Sequence, residues 1–148
     1  MGYCMRQTNS QFYSKNEFHN EAVLRVIADT IEQHERGAGY PWVNPQRVVE
    51  AKDLAEILKA WRYQPKLDAQ GNITGVEFTG EKSGACHELF KMIAPAVQSG
   101  SFIEMLGEDG AKWRWVFDGT TCEEIQAMVN WPTPGEQSLV GLPGQNVA

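Results

Sequence analysis

Four short stretches of this chain carry residue types that can do chemistry. The first is Thr74–Ala85, TGVEFTGEKSGA. Gly75 and Gly80 have four residues between them, and Lys82 and Ser83 follow. That order approaches a phosphate-binding loop, whose backbone N–H groups wrap phosphate oxygens. The loop needs Lys directly after the second glycine, and here Glu81 intervenes with a negative charge where phosphate would sit. The alternative is a strand end followed by a helix start, with Ser83 as N-cap.

The second feature is Glu104, in SFIEML. Strand alternation puts it on the same side as Trp113 and Trp115. A carboxyl among aromatic rings would titrate high, as general acids do. The competing reading pairs it with an Arg or a backbone donor, or leaves it at an uncovered end of the sheet. The third is Cys86-His87-Glu88. Neighbouring residues on a helix point about 100° apart, so Cys86 and His87 make no dyad with each other. Cys86 belongs to an apolar stripe and His87 to the outer face. His19, His34 and His87 lack ligand spacing, so no metal site and no cofactor is implied. The fourth is KWRWVF, residues 112–117, where aromatics interleave with Lys112 and Arg114 as in single-strand nucleic-acid binders. Alternation sends the tryptophans to one face and the cations to the other, which also describes a core strand with solvated cations. The acids at Glu108-Asp109 mark a hairpin tip without calcium-loop spacing.

Recognisable elements must position these residues. Ser14 and Glu17 read as a capping box, predicting a helix over 15–34 with Phe18, Ala22, Ile27 and Ile31 on its apolar face. Asn44-Pro45 reads as an N-cap and first helical position. That helix starts at Pro45 or only near Ala51, and carries the stripe Leu54, Ile57, Leu58, Trp61. Asp68–Gly71 supply turn chemistry for one hairpin. A third helix follows Ser83, with Cys86, Leu89, Phe90, Ile93 and Val97 on one face and Pro95 shortening it. Asp109-Gly110 turns a second hairpin. TCEEIQAMVNW reads as a final strand or a short helix.

The two hairpins match at an offset of 39 residues: Tyr63 with Phe102, Gly71 with Gly110, Phe78 with Phe117. A repeated helix–hairpin unit predicts one antiparallel sheet with helices on one face, an α+β two-layer sandwich. Its core face would hold Tyr63, Val76, Phe78, Phe102, Leu106, Trp113, Trp115 and Phe117. The opposite face would hold Glu77, Ile103, Met105, Lys112, Arg114 and Val116, too apolar for a plain solvated surface.

The 148 residues fit one domain over 1–131 and a Pro/Gly-rich tail over 132–148. A net charge of −6 argues against a broad footprint for duplex nucleic acid. Three widely spaced cysteines suit a reducing, cytoplasmic setting. The N-terminus has no signal-peptide profile, Arg6 breaks the myristoylation pattern, and no apolar run reaches membrane-spanning length.

GEDGAKWRWVF, GSFIEM and the opening MGYCMRQTNSQF resemble segments of small bacterial and mobile-element proteins. The resemblance covers the opening strand and residues 80–131. It implies an accessory protein borne on a phage or gene cassette, and no fold, activity or ligand. The residues themselves lead to a binding protein that docks a protein partner or forms a homodimer through Ile103, Met105, Lys112, Arg114, Val116, Glu77 and Glu104, without catalysis. Two alternatives stand beside it. One is a small hydrolase or nucleotide-handling enzyme using Glu104, with Arg114 or His87 as helpers. The other is a single-strand nucleic-acid binder using Arg62, Lys66, Lys112 and Arg114.

Overall fold

The computed structural model describes residues 2–37 and 39–133. The tail expected from Pro132 onward thus lies almost wholly outside the described residues. Strand β1 (Met5–Gln11) leads through a 3-10 turn (Asn16–Phe18) into helix α1 (His19–Glu35). Two short helices follow, α2 (Pro45–Val49) and α3 (Leu54–Ala60). The first hairpin is β2 (Tyr63–Leu67) with β3 (Ile73–Phe78). Helix α4 (Cys86–Ile93) precedes the second hairpin, β4 (Phe102–Gly107) with β5 (Lys112–Phe117), and β6 (Cys122–Gln126) closes the series. The fold is α+β with antiparallel sheets.

Local chemistry explains most element ends. Asn44 Oδ1 accepts from Gln46 N at 2.9 Å and Pro45 opens α2. Asp53 Oδ1 caps α3 by accepting from Glu56 N at 2.9 Å. Both candidate starts in that segment are therefore used, one per helix. Pro95 ends α4 and sits inside a 3-10 turn, Ala94–Ala96, as its missing N–H requires. Gly110 turns the second hairpin at φ 86°.

Two expected caps are something else. Ser14 is fully buried and pairs with Ile73 through both backbone groups, at 2.9 Å each, while its hydroxyl donates to Ala96 O at 2.7 Å. It stitches the end of β1 to the start of β3. Ser83 likewise donates its backbone N–H to Tyr3 O at 2.7 Å. The N-cap of α4 is Ala85, in the left-handed region with φ 53°.

The strands form two sheets, not the single sheet predicted. Four pair in the order β1-β4-β5-β6, and β2 pairs with β3. The chain segments of β1 and β3 form antiparallel backbone bridges at Cys4–Lys82 and Ser14–Ile73, just beyond the two ends of β1. Between those points the Gln7 carboxamide acts as a substitute peptide group. It donates to Val76 O and accepts from Phe78 N, both at 2.9 Å. A bulge at Thr8, where the register shifts between Gln7 and Asn9, opens this split.

Phe90 of α4 locks the two sheets together. It is fully buried and its ring lies 5.2 Å from Tyr63, 5.0 Å from Trp115 and 5.7 Å from Phe117. The inner faces of both hairpins thus share one core under the helices.

The 39-residue repeat does not survive in register. Tyr63 sits opposite Phe78, but Phe102 sits opposite Val116 rather than Phe117. The first hairpin connection has five residues, 68–72, and the second four, 108–111. A one-residue difference in pairing moves a whole strand's side chains to the other face. Ile103 and Met105 are consequently buried in the core, both at 0% exposure, and Phe102, Glu104 and Leu106 face outward. The energetic reason lies in Glu104. Facing inward it would be a charge among aromatic rings; facing outward it meets cations.

Candidate functional site

Among the described residues, no helix covers the outer face of the four-stranded sheet. At its centre Glu104 accepts from Thr8 Oγ1 at 2.8 Å and from Arg114 Nε at 2.9 Å, with Lys112 Nζ at 3.5 Å. The Thr8 hydroxyl first, and Arg114 second, hold its carboxyl below the ordinary glutamate range. An ionised, paired carboxylate is the opposite of the raised-pKa acid that alternation suggested, so the geometry gives no support to Glu104 as a general acid. Arg114 also lies over the Phe102 ring, 4.4 Å from its centroid.

Around this polar centre stand Phe102, Leu106 and Val116, half-buried, and Ile125, which is 48% exposed. The partly apolar face predicted from alternation therefore exists with altered membership. Lys112, Arg114, Val116 and Glu104 are on it. Ile103 and Met105 are beneath it and unavailable to a partner. Glu77 is on β3 opposite Gln64, apart from the cluster.

Beyond β6 the backbone continues as an extended arm, with Ala127 N donating to Lys112 O at 2.8 Å. The arm then leaves the sheet. Met128, Val129 and Trp131 are 91%, 80% and 87% exposed.

The glycine-rich stretch around Gly80 has a different role from phosphate binding. It wraps the Arg62 guanidinium, which donates through Nη1 to Lys82 O at 2.7 Å and lies 5.3 Å from the Phe78 ring centroid. A Cβ at Gly80 would come within 2.8 Å of Arg62 Nη1. At Gly84 it would come within 2.5 Å of Pro41 O and 2.8 Å of Arg62 Nη2. Arg62 itself has φ 70°, and Trp42 and Ala85 close by have φ 63° and 53°. The stretch is built to admit a protein cation, and that cation is not presented to nucleic acid. Lys66, on β2, stands on the other sheet from Lys112 and Arg114, which are committed to Glu104. The four cations proposed for a single-strand site do not converge.

A second concavity, about 460 Å³, opens where the first turn of α4 meets β5 and β6. Tyr3, Trp113 and Trp115 line it. The two indoles are nearly perpendicular, with centroids 5.8 Å apart, and Tyr3 lies 6.3 Å from Trp113. Trp115 Nε1 donates to Glu124 Oε1 at 3.0 Å, and His87 Nδ1 lies 3.9 Å from the same oxygen. Trp113 Nε1 and His87 Nε2 are buried without a hydrogen-bond partner. Glu88 and Gln126 also line it. Cys86 also borders it, but burial pushes its thiol up and away from a reactive thiolate.

Reasoning on the sequence reached His87 and both tryptophans but kept them apart. The link is Glu124, which register places opposite Trp115 and which no local motif marks. Among the described residues, no group of three or more His, Cys, Asp or Glu could hold a metal, and no helix is long and apolar enough to cross a membrane. Compared with protein-family models, curated proteins and solved structures, the chain matches none.

Proposed function

We propose that this chain is a binding protein whose working contact is with a second copy of itself. In the assembly, the arm after β6 of one copy lies across the outer sheet face of the other. The observation that carries this reading is the arm. Three large apolar side chains stand almost fully in water within four residues, and soluble chains seldom leave such a patch uncovered.

The outer face supports the same reading from the receiving side. Phe102, Leu106, Val116 and Ile125 ring a polar centre in which Glu104 pairs with both Arg114 and Lys112. The two cations are 48% exposed, so an arm laid on the apolar ring around them can leave their charged ends in water. Residues 127–133 contain no charged side chain. A two-fold pair would bury both arms at once, since each copy gives an arm and receives one.

The experiment is the molar mass of the full chain in solution, by sedimentation velocity from about 1 to 100 μM, a range chosen to span weak dimers. The reading expects a concentration-dependent dimer that Trp131→Ser or Val116→Asp dissociates. A wild-type monomer throughout, or variants that associate as wild type does, would overturn it.

A further inference from the structure

The concavity between α4 and the β5–β6 edge has a composition that its structural surroundings do not use. We infer that it is a binding site for a small organic ammonium ion that also carries an oxygen acceptor.

Its walls are aromatic: Tyr3, Trp113 and Trp115. Ring faces attract cations through their quadrupoles, and an alkylammonium prefers such walls to a purely ionic site. Tyr3 stays a neutral phenol, because its hydroxyl donates to Asp109 and the adjacent charge pushes its pKa up to about 12. The carboxylates facing the space are Glu124 and Glu88. Glu124 is held in place by the Trp115 indole N–H.

Of the neighbouring cations, Lys82 Nζ lies 3.0 Å from Cys4 Sγ, and Arg62 donates through Nη1 to Lys82 O while its Nε and Nη2 are buried without a partner. Neither Lys82 nor Arg62 lines the space. His87, 3.9 Å from Glu124, is the one basic group that lines the space among the described residues. Of the ionisable side chains that line the space, two are carboxylates and one is an imidazole.

The acceptor requirement comes from Trp113. The residue is 8% exposed, yet its Nε1–H has no acceptor. A buried indole N–H normally finds one. An oxygen on the ligand would satisfy it, which favours an amino alcohol over a bare amine. Trp113 and Trp115 alternate with Arg114 along β5 and face the buried side of the sheet, so the site is distinct from the outer face that receives the arm.

The test uses the full chain and two probes, choline and ethanolamine, followed by tryptophan fluorescence and by calorimetry. The uncharged isostere of choline, dimethylbutanol, is the control. At least one charged probe should bind saturably and shift the fluorescence. The isostere should bind at least about tenfold more weakly than choline if choline is the better probe. Glu124→Gln removes the charge but keeps an oxygen for the Trp115 N–H, and should weaken binding about tenfold. Trp113→Phe keeps a ring and removes the donor, and should weaken it severalfold. Glu124 is a half-exposed strand residue, so its variant tests the site even if the Trp113 change disturbs folding. Absence of binding by both probes at millimolar concentration would overturn the inference. So would equal binding of the isostere, or wild-type affinity in a folded Glu124→Gln chain.

Discussion

Replacing Trp131 with Ser isolates the contribution of one side chain to self-association. A tryptophan can bury about 150–250 Å². With 87% of Trp131 in water, roughly 170 Å² is free to be covered. At about 25 cal/mol per Å², complete burial would be worth some 4 kcal/mol. An arm lying on a sheet buries about half of each ring, leaving roughly 2 kcal/mol per arm. A two-fold dimer contains the contact twice, so the loss is about 4 kcal/mol, or a factor near 10³ in dissociation constant. The monomer should be untouched, because this side chain contributes no packing to its core. The assay is sedimentation velocity over a concentration series, with urea unfolding of both chains as the control for folding. A dissociation constant raised by less than about threefold, with wild-type dimer present, would refute the assignment of the arm to the contact.

Other consequences are more local. Glu104 has a folded pKa below its unfolded one, near 4.3, so it adds stability that is present above that value and lost as pH falls through the lower folded pKa. Because Arg114 and Lys112 are 48% exposed, Glu104→Gln should cost no more than about 1 kcal/mol at neutral pH. The gap from wild type should close in urea titrations below about pH 4. Gly84→Ala forces a Cβ to within 2.5 Å of the Pro41 carbonyl oxygen and should cost about 1–3 kcal/mol. Gly39→Ala, with nothing within 4 Å, should be near neutral in the same urea assay. Burial, reinforced by Glu124, pushes the Cys122 thiol up to about 12, and burial also raises Cys86. Ellman's reagent should therefore label Cys4 alone in the native protein and all three thiols in denaturant.

Features set by adjacent residues were legible in the sequence. Asn44-Pro45, Asp109-Gly110 and Pro95 each act within one turn, and the structure uses each as its chemistry dictates. The α+β class also follows from helical stripes alternating with hairpins. What eluded sequence reasoning depends on partners far along the chain. Ser14 has the neighbours of a capping residue, but its groups are taken by Ile73 and Ala96. The parity of β4 turned on a one-residue difference between two hairpin connections, which a repeat alignment conceals. Gly75 and Gly80 resemble a nucleotide motif, but Gly75 lies inside β3, and the close backbone approach at Gly80 and Gly84 is to the Arg62 guanidinium. The bridge across the split between β1 and β3 is a single carboxamide, Gln7, in a run of similar polar residues. The aromatic concavity needs Glu124 opposite Trp115, a pairing that appears only once register is known.

Whether the arm of one copy reaches the sheet of another can be read from a photo-crosslink at position 131. A benzoylphenylalanine there, in an equal mixture of isotope-labelled and unlabelled chains, reports by mass spectrometry which copy the arm touches. Self-association through the arm should give mixed-label crosslinks from position 131 to the β4 and β5 peptides that carry Phe102, Leu106 and Val116. Crosslinks confined to single-label species, or mixed-label products that avoid those strands, would contradict it.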